Sequence, residues 1–435
     1  VQIKILIVTY YWPPSGGSGV QRWLKFVKFL SEYPHISLTV LTPENPELPE
    51  KDIELVKEIP SGIRQVKLKT REFFWIYKKL TGSTSVKAGF FKEKKSSLLD
   101  KIFIWLRGNF FIPDARRGWI KPASKWIQNN YSSEKWNVII TTGPPHSVHC
   151  IGLRIKKNIK DIFWIADFRD PWTKIDYYHK LMLLPYADAL HKKLEKKVLL
   201  QSDIIFCIGK KMTEDFAAIV PEIKKEKFYY IPNGFDPEDF KNVRVTDSNY
   251  YYITHTGTIN ADRNPPAFWK ALRELMEENP EMKEKIRIRI VGRADIAVRE
   301  NIRDEKLEER VEYIGYVSHP ESINYLLQSR LLLLFINRTP FAEGILTGKI
   351  FEYIASRKPI LCIGPPGGEA DKILNETGSG KCIDFDDKEG IKNALIQFFN
   401  QPETIVGNND AIQKYNRKNL TREVVQIIEK NLIKK

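Results

Sequence analysis

The chain has 435 residues, 42% of them apolar, and 69 Lys and Arg against 54 Asp and Glu give it a formal net charge of +15. That length predicts two domains with separate cores, and no apolar run is long enough to span a bilayer. The N-terminus shows no basic-then-apolar leader with a small-residue cleavage site, and the four cysteines lie far apart in apolar company, which argues against a metal cage or disulfide framework and predicts reduced thiols in a cytoplasm.

The charge is uneven. Residues 1–180 hold 30 Lys and Arg against 16 Asp and Glu, whereas residues 181–435 hold 39 against 38. A basic first half points to an anionic partner: a membrane surface, a nucleic acid or a phosphorylated acceptor.

In chain order, IKILIVT (3–9) predicts a buried parallel strand. Pro13, Pro14, Gly16, Gly17 and Gly19 predict a loop, VQRWLKFVKFLSE an amphipathic helix, and LTVLT (38–42) a second strand. The opening looks like a dinucleotide fold. A nicotinamide site, however, needs an acidic residue just after the second strand, and here Thr42 and Pro43 come first, with Glu44 in a Pro-rich loop.

Residues 71–125 differ in character. They hold 13 Lys and Arg against four acids, interleaved with eleven Phe, Trp and Tyr that include Trp105, Phe110, Phe111 and Trp119. Basic residues with Trp and Phe on short helices suit a membrane interface; the same composition suits a helical insertion packed on the first domain. Single-stranded nucleic acid also uses basic grooves with aromatic platforms, but no RNA-binding signature accompanies this one.

WNVIITTGPPHSVH (136–149) and IFWIADFRDPW (162–172) read as strands whose loops open at the same sheet edge as the glycine loop. DIIFCIG (203–209) and FYYIPNGFD (228–236) close the first domain, and YYYITHTGTI starts a second Rossmann-like unit. Its further strands are IRIRIVG (286–292) and VEYIGYV (311–317). Then comes a βαβ unit: an apolar strand at 331–336, a loop with Pro340 and Gly344, a helix opened by Thr347 and Gly348, and a strand at 359–363. Its loop delivers Glu343 and its first helical turns Lys349 and Glu352. Free N–H groups at a helix start attract phosphate, and a nearby carboxylate accepts hydrogen bonds from sugar hydroxyls, so this stretch suits a ligand with both. The bland alternative is that Glu352 merely complements the helix N-terminus. The pair Asp384 and Asp386 mimics metal ligands but reads as a solvated turn. Residues 412–433 predict a final helix.

The stretch 337–360, NRTPFAEGILTGKIFEYIASRKPI, resembles the donor-binding signature of the retaining family 4 GT-B glycosyltransferases of capsule and cell-surface type. The resemblance implies an α/β protein with two Rossmann-like domains facing each other across a cleft. Residues 1–235, with an insertion at about 71–125, would bind the acceptor, 236–410 the nucleotide-sugar, and the helix in 411–435 would return to the first domain. Glu352 matches the family's ribose-holding Glu. The sugar-facing Glu falls on Gly344, so Glu343 serves only if the loop is one residue longer. Where the family has Arg and Lys after Gly257 to grip the pyrophosphate, this chain has Thr258 and Arg263; Lys349 is expected to share the task. By the same resemblance Gly16 and Gly17 lie near the donor phosphates, and Gly315, Tyr316 and Val317 lie against the nucleobase. His146, with His149 next, is the candidate for the family's histidine beside the sugar, unless it is a structural histidine, and Asp167, Arg169 and Asp170 face the acceptor, unless an internal Asp–Arg pair simply fixes that loop. GPPGGEADKIL (364–374) matches the family's Gly-Gly-Glu turn.

The implied reaction moves a sugar from a nucleotide-sugar to an acceptor hydroxyl with retention, without metal or cofactor. It would run in the cytoplasm or on the inner face of the membrane, for cell-surface polysaccharide or glycolipid synthesis. The competing readings are a catalytically weak membrane-surface subunit and a nucleotide-sugar epimerase on the same fold.

Overall fold

The computed structural model describes residues 2–46, 51–70, 98–241, 248–401 and 407–433. The chain divides into two compact units. The first runs to Pro232 and takes back the C-terminal stretch from Leu420; the second is Asn233–Asn419.

The first unit is built on a seven-stranded parallel sheet in the order β3-β2-β1-β4-β5-β6-β7. These strands are β1 Ile3–Thr9, β2 Ile36–Pro43, β3 Arg64–Leu68, β4 Val138–Gly143, β5 Phe163–Phe168, β6 Ile204–Cys207 and β7 Phe228–Tyr230. Side chains alternate across a strand, and β1 shows it: Ile5 and Ile7 enter one core, Leu6 and Val8 the other. The first core joins Trp23 and Leu24 of the helix Ser18–Leu30 to Val424 and Ile428 of the helix Arg417–Ile433. The second holds Trp119, Ile127, Ile151 and Trp164. Each such fully buried large side chain contributes about 1.5–3 kcal/mol.

Trp119 is fully buried, and the helix Ile120–Glu134 buries Ala123 and Ile127 in the same core, so this end of the 71–125 segment packs into the first unit. Residues 71–97, the larger part of that segment, lie outside the described residues. The tail is also two helices, Asn409–Gln413 and Arg417–Ile433, rather than one.

The second unit carries a six-stranded parallel sheet in the order β10-β9-β8-β11-β12-β13. Its strands are β8 Tyr251–Thr256, β9 Ile286–Val291, β10 Val311–Tyr313, β11 Leu331–Phe335, β12 Ile360–Ile363 and β13 Gly380–Ile383. All five residues of β11 are buried, as a strand covered on both faces requires. In both units the strand order reverses beside the first strand, β1 or β8, and loops at the C-terminal ends there form the natural ligand crevice. Among the described residues no helix is long and apolar enough to cross a membrane.

Candidate functional site

In the second unit the site grows from the ends of β8 and β11. Gly257 follows β8 at φ +87°, a conformation that L side chains rarely adopt. A Cβ there would also stand 3.1 Å from the Lys349 Nζ. The Arg263 Nε donates to Asn337 Oδ1 at 2.6 Å, and its Nη1 donates to the Thr258 carbonyl at 3.0 Å. Asn337 lies just past β11, so this guanidinium ties the two strand-end loops together. Thr258 contributes a backbone oxygen here, not a cation.

Lys349 opens the helix Lys349–Ala355 and donates to His255 Nε2 at 2.9 Å. Burial pushes its pKa well below the usual lysine range, Arg263 pushes it further, and Glu352 opposes. Among the described residues no carboxylate forms an ion pair with it. Three residues on, the Glu352 carboxylate meets His319 Nε2 at 3.0 Å. His319 is held at the start of the helix His319–Leu327, where Ser318 and Glu321 form a capping box.

At the helix start the N–H groups of Ile350 and Phe351 donate to the carbonyls of Thr347 and Gly348 at 3.3 Å. Thr347 Oγ1 and Asn260 Oδ1 are buried without a protein hydrogen-bond partner. Glu343 stands exposed on the 3-10 turn Ala342–Gly344. Gly315 has φ +81° with open space around it, and beside it Tyr316 is exposed and Val317 half-buried. Asp386 takes both oxygens to Arg338, at 2.7 and 2.5 Å.

In the first unit Gly16 is buried, while Gly17 is exposed at φ +88° where the helix Ser18–Leu30 begins. Asp167, expected to face an acceptor, is fully buried. Burial alone would raise its pKa, but the Arg22 guanidinium outweighs that and holds it below the usual carboxylate range. Arg22 reaches it through Nη2 at 2.6 Å and through Nε, Trp23 Nε1 donates at 2.7 Å, and Thr142 Oγ1 at 2.8 Å. Arg169 is also buried and donates to the carbonyls of Gly19 and Pro144, bracing the glycine loop against the proline loop. Both expectations are therefore corrected: these side chains serve the interior, and the partner of Asp167 is Arg22, not Arg169. Asp170 alone of the three keeps surface; burial pushes its carboxyl up to about 7, Asp176 adds, and Arg169 opposes.

His146 is buried and stacks on Trp172 with ring centroids 4.8 Å apart. Neither ring nitrogen has a protein partner, and burial, with His149, His191 and Arg169 nearby, pushes its pKa well down. His149 lies against Thr141, whose Oγ1 accepts from Trp164 Nε1 at 2.9 Å and shares a hydrogen bond with His149 Nδ1 at 3.0 Å. Burial lowers His149 to about 3. Glu195 holds the loop beyond β5 by accepting from Thr173 and from the Trp172 N–H.

Sequence reasoning missed His255, His319, Asn337 and Arg22. His255 had a signal, a lone imidazole at the end of an apolar strand; the others depended on distant partners.

Residues 236–419 match the family model described as glycosyl transferases group 1. No curated protein matches the chain. Among solved structures, sucrose-phosphate synthase from Thermosynechococcus elongatus aligns over 100% of both chains at 12% identity with a TM-score of 0.65. The E. coli trehalose-6-phosphate protein bound with UDP-2-fluoro glucose aligns over 98% of each chain at 12% identity and TM-score 0.65. A UDP-N-acetylglucosamine 2-epimerase aligns over 98% of this chain and 95% of its own at 13% identity and TM-score 0.55. At these identities the likeness is one of fold: two Rossmann-like α/β domains of the GT-B class, with the match to the group 1 model confined to residues 236–419.

Proposed function

We propose that this protein transfers a sugar from a nucleotide-sugar to an acceptor hydroxyl with retention of configuration, in the manner of family 4. The observation that carries the reading is the approach of Lys349 to Gly257 and of Arg263 to the Thr258 carbonyl beside it, with no carboxylate ion-paired to Lys349 among the described residues and Glu352 three residues along the same helix. A partly buried cation lacking a counter-ion stabilises an incoming anion, and charge that grows on a leaving diphosphate benefits most. Glu352 would hold ribose hydroxyls, with Gly315, Tyr316 and Val317 beside the base and Glu343 beside the sugar. On the first unit, His146 and Asp170 are the polar groups proposed for the reaction. An oxygen of the donor phosphate takes the acceptor proton as the glycosidic bond to phosphate breaks, so alignment and charge stabilisation do the protein's part. The E. coli fold relative carries UDP-2-fluoro glucose, which supports a UDP-type donor among those to try first.

The acceptor is proposed to be a cell-surface polysaccharide or glycolipid precursor at an anionic membrane face. The exposed side chains Ile102, Phe110, Met182, Leu184 and Tyr186 favour such docking. The test is release of nucleoside diphosphate from UDP-, GDP- and ADP-sugars, with the anomeric configuration of the product read by NMR. Slow release from every donor favours the binding-subunit reading. Epimerisation of a donor without acceptor favours the epimerase reading, which the 2-epimerase among the fold relatives keeps in play.

A further inference from the structure

His255 is the last residue but one of β8 and is fully buried, stacked on Phe335 with ring centroids 5.1 Å apart and an interplanar angle of 14°. Its Nδ1 lies 2.9 Å from the Leu333 carbonyl oxygen. A carbonyl only accepts, so Nδ1 carries the proton and Nε2 keeps its lone pair. That lone pair points at the Lys349 Nζ, 2.9 Å away. An imidazolium there would present a second N–H to an ammonium; burial, Lys349 and Arg263 all hold the ring neutral.

The side chain of Lys349 is thereby fixed at both ends. Its backbone begins a helix, and its ammonium is bound to a ring that the strand and the Phe335 stack hold still. Its Nζ and Cε come to 3.1 and 3.2 Å from the place a Gly257 Cβ would occupy, so the ammonium lies over the Gly257 backbone. The next residue is Thr258, whose side chain brings no charge.

We propose that His255 is a positioning residue, which holds the Lys349 ammonium over Gly257 so that Lys349 supplies the diphosphate-binding cation that Thr258 does not. The inference rests on the donor-site reading above. A neutral acceptor suits the task better than a carboxylate. It orients one N–H of the ammonium without cancelling the charge, and leaves the other two protons for phosphate oxygens.

The test is calorimetric titration of the full chain with inorganic pyrophosphate, at fixed pH and ionic strength. Lys349→Ala is expected to weaken binding about tenfold or more, the scale of a lost charge-assisted hydrogen bond. His255→Phe keeps the ring stack and removes the acceptor; it should weaken binding roughly fivefold. His255→Asn, polar but too short to reach Lys349, should do the same, and serves if the Phe variant does not fold. His255→Gln, whose amide oxygen reaches the Nε2 position, should stay within about twofold of wild type. The double variant His255→Phe/Lys349→Ala should bind no more weakly than Lys349→Ala alone, because one residue acts through the other. Equal weakening by His255→Phe in both backgrounds, or none in either, overturns the assignment while a weak Lys349→Ala keeps the donor reading. Wild-type affinity in both Lys349→Ala and Arg263→Ala overturns the donor reading, and this inference with it.

Discussion

Two stretches look alike as sequence: Asp167-Phe168-Arg169-Asp170 at the end of β5, and Lys349-Ile350-Phe351-Glu352 on the helix after β11. Each sets charge of both signs at the mouth of a parallel sheet. In the first unit the charges are spent inside, Asp167 on Arg22 and Arg169 on two loop carbonyls. In the second, Lys349 meets a neutral imidazole rather than a carboxylate. Charge at a strand end therefore marks a ligand site only where the protein has not already neutralised it.

The largest expected effect tests the internal member of the pair. Asp167→Asn takes the Asp167 carboxylate away from the buried Arg22 guanidinium, and removing one partner of a buried ion pair costs about 3–5 kcal/mol. Thermal unfolding should show a large fall in Tm, with catalysis lost only as fold is lost. Normal Tm with lost activity would return Asp167 to the acceptor side and erase the contrast.

Arg263→Ala tests the cation beside the second stretch. Removing one electrostatic stabiliser of a developing anion costs about a hundredfold in turnover. Turnover should fall more than KM rises, since the charge is greatest in the transition state, and Tm should hardly move. On the proposal that Arg263 and Lys349 meet the diphosphate charge, wild-type activity is expected to survive EDTA. Loss in EDTA with recovery on adding magnesium would show that a cation outside the chain shares the work.

Glu352→Ala comes next. Its carboxylate is partly exposed and already bonded to His319, so the expected loss of donor affinity is about 1–3 kcal/mol, with the ligand-free melting temperature nearly unchanged. Unchanged affinity would leave Glu352 as a partner of His319 and a complement to the helix start only.

The contrast also explains what the sequence could reveal. Arg263, Lys349 and Glu352 are set by one βαβ unit and the turn after β8, so short-range spacing carried them. The two parallel sheets were equally plain from runs such as IKILIVT and LLLLF. The Arg22–Asp167 pair joins residues 145 apart, and nothing near either names the other. The first-turn bonds of Ile350 and Phe351 to Thr347 and Gly348 depend on backbone angles that composition does not fix. Trp119 had the look of an interfacial aromatic because burial is a property of the finished core, not of the residues beside it.

The last comparison is between surfaces, and its effect is the smallest. The first 180 residues hold nearly all the net charge, and in the first unit Phe110, Met182, Leu184 and Tyr186 are 58, 44, 47 and 77% exposed. They form one neighbourhood: Asn109 donates to the Met182 carbonyl at 3.1 Å and accepts from the Leu184 N–H at 2.6 Å. Gly108 is required there, since a Cβ would meet the Leu181 carbonyl oxygen at 2.8 Å. The loop is thus pinned with its apolar side chains outward, which intrinsic packing does not explain. Each Lys or Arg near an anionic surface adds about 1 kcal/mol, which salt screens, and buried apolar area adds roughly 25 cal/mol per Å². The protein should sediment with anionic vesicles, less in high salt, and hardly with neutral ones. Replacing Met182, Leu184 and Tyr186 with Ser should weaken the binding a few-fold at any salt, while matched Ser changes at the exposed Tyr250 and Tyr313 of the second unit should not. Sedimentation that is equal for both sets would place the contact elsewhere, and no sedimentation at low salt would make the acceptor a soluble one.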